Sequence, residues 1–559
     1  MGRISRQILA AAAALPLLLS SCRAEPVSDG GFDIALNLES IGASSVTVSA
    51  VPTDPEVEYC MFVTAQSEYS ESRIPRTAEY AKGEHSISVP SLEMGKDYLA
   101  VALVEMTGYR KLLKFNTDAA IGSLDPTGHP ENFNVTSIPT KQSKSKKRGV
   151  CGNLQSASDA TLLGPGVSWD YNWSHNYPGN ASDIYAAGMA FYPMVWNAGL
   201  NRDNISRLKR DYPSTEYILG YNEPNLTDQA NMVPSVAAET WPELRAFSKE
   251  VGMKLASPAL NYGTLSGYND PEKWLDEFIA CDGIGNDAFD AVALHCYMPN
   301  ASGMRSMIRK FDKYGKPVFM TEFCHANGNI TNDVSEQISF MSEVLNMLET
   351  DANVGGYSWF MARGSGSWNA ISLLNTDAVN PALTDLGQLY VNFSSFDKDC
   401  AYGPHEPIPA EHYCAHNMCG VQTGWGDVFK VRLCNDVFGK LMILCYQPDA
   451  WVEYQVEVDK DGIYALAARY RAELLGGTMV LTVDGGDQTV VKFDKTADWK
   501  CKWIEGLSLS KGRHTIRLKH REGRVDFNWF YLDPAIDEAE KSAEKHSNRL
   551  NTTMFLLAL

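Results

Sequence analysis

Two glutamates each end an apolar segment whose residues are typical of a buried strand. Glu223 follows residues 217–222, and Pro224 behind it cannot continue the hydrogen bonds of a sheet. Glu322 ends a second such segment ninety-nine residues later. If both strands belong to one parallel barrel, their carboxyl ends open onto the same mouth. A protonated and an ionised carboxyl group facing each other there are what the hydrolysis of a glycosidic bond requires.

The segments around these glutamates alternate between strands and amphipathic helices. In residues 235–251, for example, apolar side chains recur on one helical face. Eight such units within about 250 residues match the size of a closed (β/α)₈ barrel. An open doubly wound sheet fits the same count, but no Gly-x-Gly-x-x-Gly turn follows the first strand to support a dinucleotide site. The predicted strands are residues 148–152, 167–171, 191–197, 217–222, 254–260, 291–297, 317–323 and 356–362.

Composition shifts divide the rest of the chain. Short β-rich runs predict an N-terminal all-β sandwich over residues 30–120 and a C-terminal all-β sandwich over residues 404–535. The catalytic barrel is predicted over residues 148–397, and a charged, then apolar tail over residues 536–559. Residues 121–147 are predicted to be a linker, whose basic stretch at 141–148 we interpret as solvated.

The finer sequence pattern resembles a known enzyme family. Asn222-Glu223-Pro224 together with Thr321-Glu322-Phe323 is similar to the clan A retaining glycosidases. The pattern along the whole barrel resembles glycoside hydrolase family 128, the endo-β-1,3-glucanases with a compact (β/α)₈ core. The segments that carry this resemblance are residues 191–196, 219–225, 229–234, 237–242, 255–259, 274–278, 315–318 and 357–360.

The resemblance implies roles for individual residues. Glu223 would be the general acid/base and Glu322 the nucleophile, while Asn222 would hydrogen-bond the sugar 2-hydroxyl. His295 and Tyr297 are two residues apart on the sixth strand, so both face the same side. Tyr297 would donate a hydrogen bond to the nucleophile, and His295 would orient the pair.

Tryptophans are the expected sugar platforms. The resemblance implies that Trp359, which ends the eighth strand, lies under the scissile sugar, and Trp196 and Trp169 are further candidates for stacking. No catalytic metal or other catalytic cofactor is expected. Cys296 with His295, and Cys324 with His325, cannot all converge on zinc, because adjacent strand residues point to opposite faces.

The two flanking domains resemble non-catalytic modules. The N-terminal domain is similar to a fibronectin type III sandwich, and the C-terminal domain resembles carbohydrate-binding module family 6, a jelly-roll sandwich. The second resemblance implies a sugar held by Tyr446 and Trp499 above Asp526, where an asparagine is usual. It also suggests a structural calcium near the start of that module, although Pro409 stands where the family has its first glutamate.

The first residues are typical of an export signal. Arg3 and Arg6 precede an apolar run over residues 8–19, which is too short to span a membrane. Leu19-Ser20-Ser21-Cys22 resembles the bacterial lipobox, so Cys22 is the predicted lipidation site, and a cell-envelope, outer-membrane lipoprotein is expected. A cleaved signal that leaves a secreted protein is the alternative, and nine Asn-x-Ser/Thr sequons keep a eukaryotic secreted protein open.

The net charge bears on the expected binding partners, and the cysteine content bears on disulfide formation. The net charge of −19 repels phosphate backbones, so nucleic acid is not an expected partner. Twelve cysteines leave an odd number once Cys22 is set aside, and an exported compartment permits disulfides among the rest.

These observations predict a monomeric, secreted or lipid-anchored retaining endo-β-1,3-glucanase acting on laminarin-type β-glucan. One alternative is a non-catalytic surface glycan-binding lipoprotein. Another is a clan A glycosidase that acts on mannan, xylan or mixed-linkage glucan.

Overall fold

A computed structural model describes most of the chain, in two compact units formed by residues 1–124 and 125–559. The described residues are 32–41, 45–70, 73–90, 92, 96–116, 133–138, 140–417 and 429–534. The predicted signal with Cys22 and the tail at 536–559 lie outside them. Within the described ranges, no helix has the length and apolar character needed to cross a membrane.

The first unit is a sandwich of two antiparallel sheets. The sheet orders are β1-β2-β5 and β4-β3-β6-β7, and apolar side chains from both sheets form the core between them. In β2, Val46, Val48 and Ala50 place every second side chain in that core. The strands are β1 (Ile34–Ile41), β2 (Ser45–Pro52), β3 (Tyr59–Ala65), β4 (Glu79–Ala81), β5 (His85–Pro90), β6 (Asp97–Val104) and β7 (Tyr109–Asn116).

The second unit begins with eight parallel strands that alternate with helices. All eight lie within the predicted strands or overlap them. The strands are β8 (Arg148–Cys151), β9 (Trp169–Tyr171), β10 (Ala190–Phe191), β11 (Tyr217–Ile218), β12 (Lys254–Leu255), β13 (Val292–Met298), β14 (Val318–Asn327) and β16 (Val354–Phe360), with the short β15 (Asn329–Ile330) folded back on β14. The helices are α1 (Ala157–Leu163), α2 (Ala181–Ala186), α3 (Arg202–Asp211), α4 (Pro234–Glu250), α5 (Pro271–Ala280), α6 (Ala301–Lys310), α7 (Val334–Thr350) and α8 (Asp385–Asn392).

Strand pairing runs in a cycle around this core. One parallel ladder has the order β10-β9-β8-β16-β14-β13, and a second joins β11 to β12. Single parallel bridges close the gaps, Met194 with Leu219 on one side and Leu260 with Leu294 on the other. The core is therefore barrel-like, and the carboxyl ends of β11 and β14 open on the same face.

Aromatic side chains fill the lumen below that face. Trp169 is 1% exposed and stacks on Tyr192, with ring centroids 5.1 Å apart. A Cβ at Gly149 would lie 2.3 Å from the Trp169 ring, so glycine is needed there. Trp169 is thus a packing residue, and its prediction as a sugar-stacking residue is wrong.

The C-terminal part of this unit consists of two packed antiparallel sheets. Their orders are β19-β20-β27-β22-β25, with β17 on β27, and β18-β21-β26-β23-β24. Among the cysteines described across both units, none forms a disulfide with another. The strands are β17 (Pro407–Pro409), β18 (Ala415–His416), β19 (Phe429–Leu433), β20 (Leu441–Cys445), β21 (Trp451–Val458), β22 (Gly462–Ala472), β23 (Gly477–Val483), β24 (Gln488–Phe493), β25 (Thr496–Leu509), β26 (Gly512–Gly523) and β27 (Val525–Pro534).

These sheets pack directly on the barrel helices. The Tyr413 hydroxyl donates to Asn346 Oδ1 at 2.6 Å, and the Val431 amide donates to Ser342 Oγ at 3.0 Å. Both acceptors lie on α7 and are buried, so the two parts share an interior rather than a solvated gap.

Part of the predicted linker packs against the rest of the second unit. Phe133 packs against Trp503, Trp529 and Tyr531 of the C-terminal sheets, with ring centroids 5.1–5.8 Å apart. In the basic stretch, the Lys147 ammonium donates to three backbone carbonyls at the end of α7 and beyond it. A cation beside the carbonyl end of a helix is stabilised by the exposed partial charges there. The interpretation of residues 141–148 as a solvated stretch is therefore wrong for Lys147 and Arg148, although Lys146 is exposed.

Arg148 also belongs to this basic stretch, and the structure buries it. It is 1% exposed, and its guanidinium makes five hydrogen bonds. One of them is an ion pair with Glu349 at 2.7 Å, whose side chain is 3% exposed. The other acceptors are the Tyr357 hydroxyl and backbone carbonyls around the end of α8. Arg148 thus joins the first strand, the seventh helix and the eighth helix of the barrel.

We expect Arg148→Ala to lower the free energy of unfolding by about 3–5 kcal/mol, because it leaves the Glu349 carboxylate buried without its cation. Lys146→Ala is the matched control, since Lys146 is an exposed cation in the same basic stretch. Guanidinium denaturation followed by tryptophan fluorescence measures both. Equal midpoints for the two variants would contradict the structural role of Arg148.

Candidate active site

Glu223 lies in the irregular segment that follows β11, in a conformation that turns it into the mouth of the barrel-like core. Its φ is +43°, in the left-handed region that a side chain other than glycine rarely adopts. The Glu223 amide donates to the Ala259 carbonyl at 2.9 Å, which ties this turn to the neighbouring strand segment. Strain of this kind persists where the surrounding structure fixes it, and it concentrates at functional positions.

Glu322 lies in β14 and accepts three hydrogen bonds. Trp173 Nε1 donates to Oε1 at 2.6 Å, and the Tyr171 hydroxyl donates to the same oxygen at 3.1 Å. The Tyr297 hydroxyl donates to Oε2. These three donors fix the orientation of the Glu322 carboxylate at the mouth.

His295 lies between the two glutamates. Its Nδ1 is 2.9 Å from Glu223 Oε1 and 3.4 Å from Glu322 Oε2, and the ring is fully buried. Burial lowers the pKa of His295, but the charge of Glu322 and the hydrogen bond and charge of Glu223 outweigh it, so the pKa is raised above its usual value.

The pKa of Glu223 is shifted the opposite way, below its usual value. Burial raises the pKa of Glu223, but the hydrogen bond and charge of His295, with a hydrogen bond from Asn261 at 3.1 Å, outweigh it and lower the pKa. In the free site the shared proton is therefore held toward His295. It sits one hydrogen bond away from the carboxylate that must donate it.

The two carboxylates are close enough for one reaction centre. Ligand atoms of Glu223, His295 and Glu322 all lie within 4.8 Å of one another. Retaining glycosidases hold their carboxyl groups about 5–5.5 Å apart, whereas inverting enzymes leave about 6.5–9.5 Å for a water molecule. With single oxygen atoms of the two groups within 4.8 Å, the pair lies nearer to the retaining spacing.

Asn222 is poised beside this pair. Its Nδ2 donates to Gln229 Oε1 at 3.1 Å, while its Oδ1 is buried with no hydrogen-bond partner. A buried acceptor without a partner is costly unless a ligand supplies a donor. Asn222 lines the same cleft as the glutamates, so a sugar hydroxyl can reach it.

The cleft itself has a volume of about 870 Å³ and is lined by aromatic, amide and acidic side chains. Its three carboxylates are Glu223, Asp228 and Glu322, and none of its lining residues is lysine or arginine. Trp196 lies on its wall, as does Tyr297. The lining residues are Trp173, Trp196, Asn222, Glu223, Leu226, Asp228, Gln229, Asn261, Tyr262, Tyr297, Glu322, Ala326, Gly328, Asn329, Ile330, Phe360, Met361 and Trp368.

The prediction of Trp359 as the platform under the scissile sugar is wrong. Trp359 is fully buried, donates to the Ile371 carbonyl at 2.8 Å and packs edge-on against Phe323. Its neighbour Phe360 lines the cleft instead. Adjacent strand residues point to opposite faces, so the tryptophan faces the helices when the phenylalanine faces the mouth.

Three residues of the site were missing from the sequence-based set. Tyr171 and Trp173 reach Glu322 from β9 and the turn after it, and Asn261 reaches Glu223. Tyr171 ends its strand, as the two glutamates were predicted to do, whereas Trp173 lies beyond the strand. Asn261 follows β12 in an irregular segment and had no comparable signal.

Metal-binding potential is confined to the catalytic group. Within the described ranges, Glu223, His295 and Glu322 form the single cluster of three acidic, histidine or cysteine side chains close enough to share an ion. These residues are occupied with one another through the shared proton. In the C-terminal module, burial raises the pKa of Glu411 to about 8, and its Oε2 has no partner. A structural calcium at the start of that module stays a prediction.

The predicted sugar site of the C-terminal module is partly filled by the protein. Arg471 lies over the Trp499 ring at 5.1 Å and pairs with Asp526 at 2.9 Å. Asn435 Oδ1 accepts from both Trp499 and Arg471. Tyr446 directly follows β20 and is half-buried. Trp499 and Asp526 are thus brought together, but a guanidinium covers one face of the ring.

Two family profiles match the second unit. Residues 149–390 match the glycosyl hydrolase catalytic core, and residues 425–532 match carbohydrate binding module family 35. The second match corrects the predicted module family, which was family 6.

Related proteins agree with the first match. The chain is 27% identical over 263 residues to alkali-sensitive linkage protein 1 of Schizosaccharomyces pombe, and the match spans 45% of each protein. It is 37% identical to a family 128 subgroup II endo-β-1,3-glucanase from Pseudomonas viridiflava, covering 45% of this chain and 98% of that one, with a TM-score of 0.41. A subgroup II enzyme from Sorangium cellulosum is 32% identical, covering 44% of this chain and 98% of that one, with a TM-score of 0.39.

The site residues lie within the matched region, and the identity extends over nearly the full length of the two bacterial enzymes. Through its barrel-like core, the chain belongs to glycoside hydrolase family 128.

Proposed function

We propose that the chain is a retaining endo-β-1,3-glucanase that hydrolyses laminarin-type β-glucan by double displacement. The observation that carries the proposal is the pair of buried carboxylates, within 4.8 Å of each other and of His295, at the mouth of the barrel-like core. The β-1,3 linkage is supported by the names of the related enzymes from Pseudomonas viridiflava and Sorangium cellulosum.

The geometry assigns each step to a group. Glu322 attacks the anomeric carbon, while Glu223 gives its proton to the departing glycosidic oxygen, and a glycosyl ester on Glu322 results. His295 supplies the proton that Glu223 donates, across the 2.9 Å contact between them. Glu223 then removes a proton from water, which attacks the same carbon and frees the sugar with its original configuration.

The lining of the cleft favours a neutral polysaccharide. Three carboxylates and no lysine or arginine line it, so a uronate-containing chain meets repulsion without a compensating cation. Aromatic and amide side chains, which contact pyranose faces and hydroxyl groups, form most of the rest. This supports glucan, mannan or xylan over acidic glycans, and the related enzymes favour β-1,3-glucan among these.

We extend the proposal to the whole chain. The barrel-like core would be a closed (β/α)₈ barrel, the N-terminal unit a fibronectin type III-like spacer, and the C-terminal sheets a jelly-roll module that holds the enzyme near glucan. The lipobox-like sequence ending at Cys22 supports export and anchoring to the outer membrane. A monomer needing no catalytic cofactor stays the prediction.

Replacement of the nucleophile tests the proposal directly. Glu322→Gln should lower turnover of laminarin by about 10³-fold or more, because the amide cannot form the glycosyl ester, while laminarioligosaccharide binding persists. Reducing-sugar release and isothermal titration calorimetry measure the two properties. Glu239→Gln is the matched control, since Glu239 is an exposed glutamate on α4 that does not line the cleft. Activity of Glu322→Gln close to wild type would refute the assignment.

The shared proton predicts the pH dependence of kcat/KM. Loss of this proton removes the general acid, so activity falls as pH rises through the raised pKa of His295, above its ordinary value of about 6.5. In His295→Asn, Glu223 alone holds the proton, and the basic limb should move to lower pH. Initial rates on laminarin from pH 4 to 10, at constant ionic strength, measure the limb. An unchanged basic limb in the variant would mean that His295 does not share the proton.

A further inference from the structure

Two exposed aromatic side chains stand at the catalytic cleft. Tyr262 is 49% exposed and Trp368 is 45% exposed, and both line the cleft. Among the aromatic residues in the described ranges, only Tyr80 and Phe438 are exposed to a similar degree. Exposed aromatic rings beside a polar cleft are what a pyranose face requires for apolar contact.

Tyr262 belongs to the side of the acid/base. It follows Asn261, which donates to Glu223 Oε1, in the loop after β12, and β12 pairs with β11, the strand that precedes Glu223. The loop is fastened firmly, because buried Asn225 donates to the Asn261 carbonyl at 2.7 Å and accepts from the amides of Thr264 and Leu265. These hydrogen bonds therefore hold the loop that carries the Tyr262 ring in a fixed position.

Trp368 belongs to the side of the nucleophile. It lies in the loop after β16, which is paired with the strand that carries Glu322. Its ring meets Phe360 edge-on at 5.5 Å, and Phe360 in turn meets Trp173, a donor to Glu322, at 6.0 Å. An aromatic wall thus runs from the nucleophile to Trp368.

The proposed reaction determines which part of the substrate lies on the Glu223 side of the cleft and which part lies on the Glu322 side. The oxygen that Glu223 protonates leaves with the departing saccharide, so this saccharide extends past Glu223. The sugar captured by Glu322 belongs to the other part of the chain, which extends past the nucleophile. We propose that Tyr262 is the platform for the departing and accepting saccharide, and that Trp368 is the platform for the sugars retained on the enzyme. This assignment rests on the proposed retaining glucanase function.

Two assays separate the two sides. Hydrolysis of 4-nitrophenyl β-laminaribioside places sugars only on the retained side, because the departing group is a phenol. Transfer of the laminaribiosyl group to added laminaribiose requires the accepting side, and the acceptor concentration that gives half-maximal transfer reports its occupancy.

Trp368→Ala should lower kcat/KM for the aryl glycoside about tenfold, with a smaller effect on the acceptor concentration. Tyr262→Ala should raise that acceptor concentration about tenfold, with a smaller effect on the aryl glycoside. The conservative variants Trp368→Phe and Tyr262→Phe keep a ring and should recover most of each loss. Tyr80→Ala, an exposed aromatic in the N-terminal sandwich, is the control for general effects.

The outcomes are distinguishable. If the wild type releases no nitrophenol and no sugar from laminarin, the proposed function fails. If the wild type is active but the two alanine variants show the reverse pattern, or equal losses in both assays, the assignment of the two sides is overturned. A thermal midpoint within about 2 °C of wild type identifies variants that remain folded.

Discussion

The imidazole of His295, held between two buried carboxylates, is the interaction on which the rest of the site depends. Two carboxylates whose oxygens lie within 4.8 Å of each other repel in a buried mouth unless a positive charge lies between them. One proton shared between His295 and Glu223 removes that conflict, and the raised pKa of His295 keeps the proton in the group. Neutral donors from Tyr171, Trp173 and Tyr297 hold the carboxylate of Glu322 in place beside it.

The barrel-like core provides this arrangement through strand order. β11 and β14 are separated by β12 and β13 in the cycle, so Glu223 and Glu322 face each other across the mouth with His295 rising between them. Below them, a layer that includes Trp169 and Tyr192 fills the lumen and excludes water. At the amino-terminal side, Arg148 ties the first strand to the last helices.

Strand-end chemistry could be predicted from the sequence, but single-residue register could not. The positions of Glu223 and Glu322, and the common face of His295 and Tyr297, follow from apolar runs and a period of two. Trp359 was assigned to the mouth by resemblance, yet the strand presents Phe360 there. The sequence does not predict the role of Trp173, because this residue lies in a turn with a φ of +59°, where strand periodicity no longer predicts which way a side chain points. Charge alone predicts that Arg148 and Lys147 are exposed to solvent. In the structure, backbone carbonyls and Glu349 provide buried partners for them.

The central claim is that both carboxylates act on one anomeric carbon in two successive displacements. Proton NMR of the first sugars released from a laminarioligosaccharide, recorded before mutarotation, tests it most directly. The account predicts that the β-anomer appears first and that the α-anomer grows in only as the solution equilibrates. Initial release of the α-anomer would show inversion, and would contradict a nucleophilic role for Glu322.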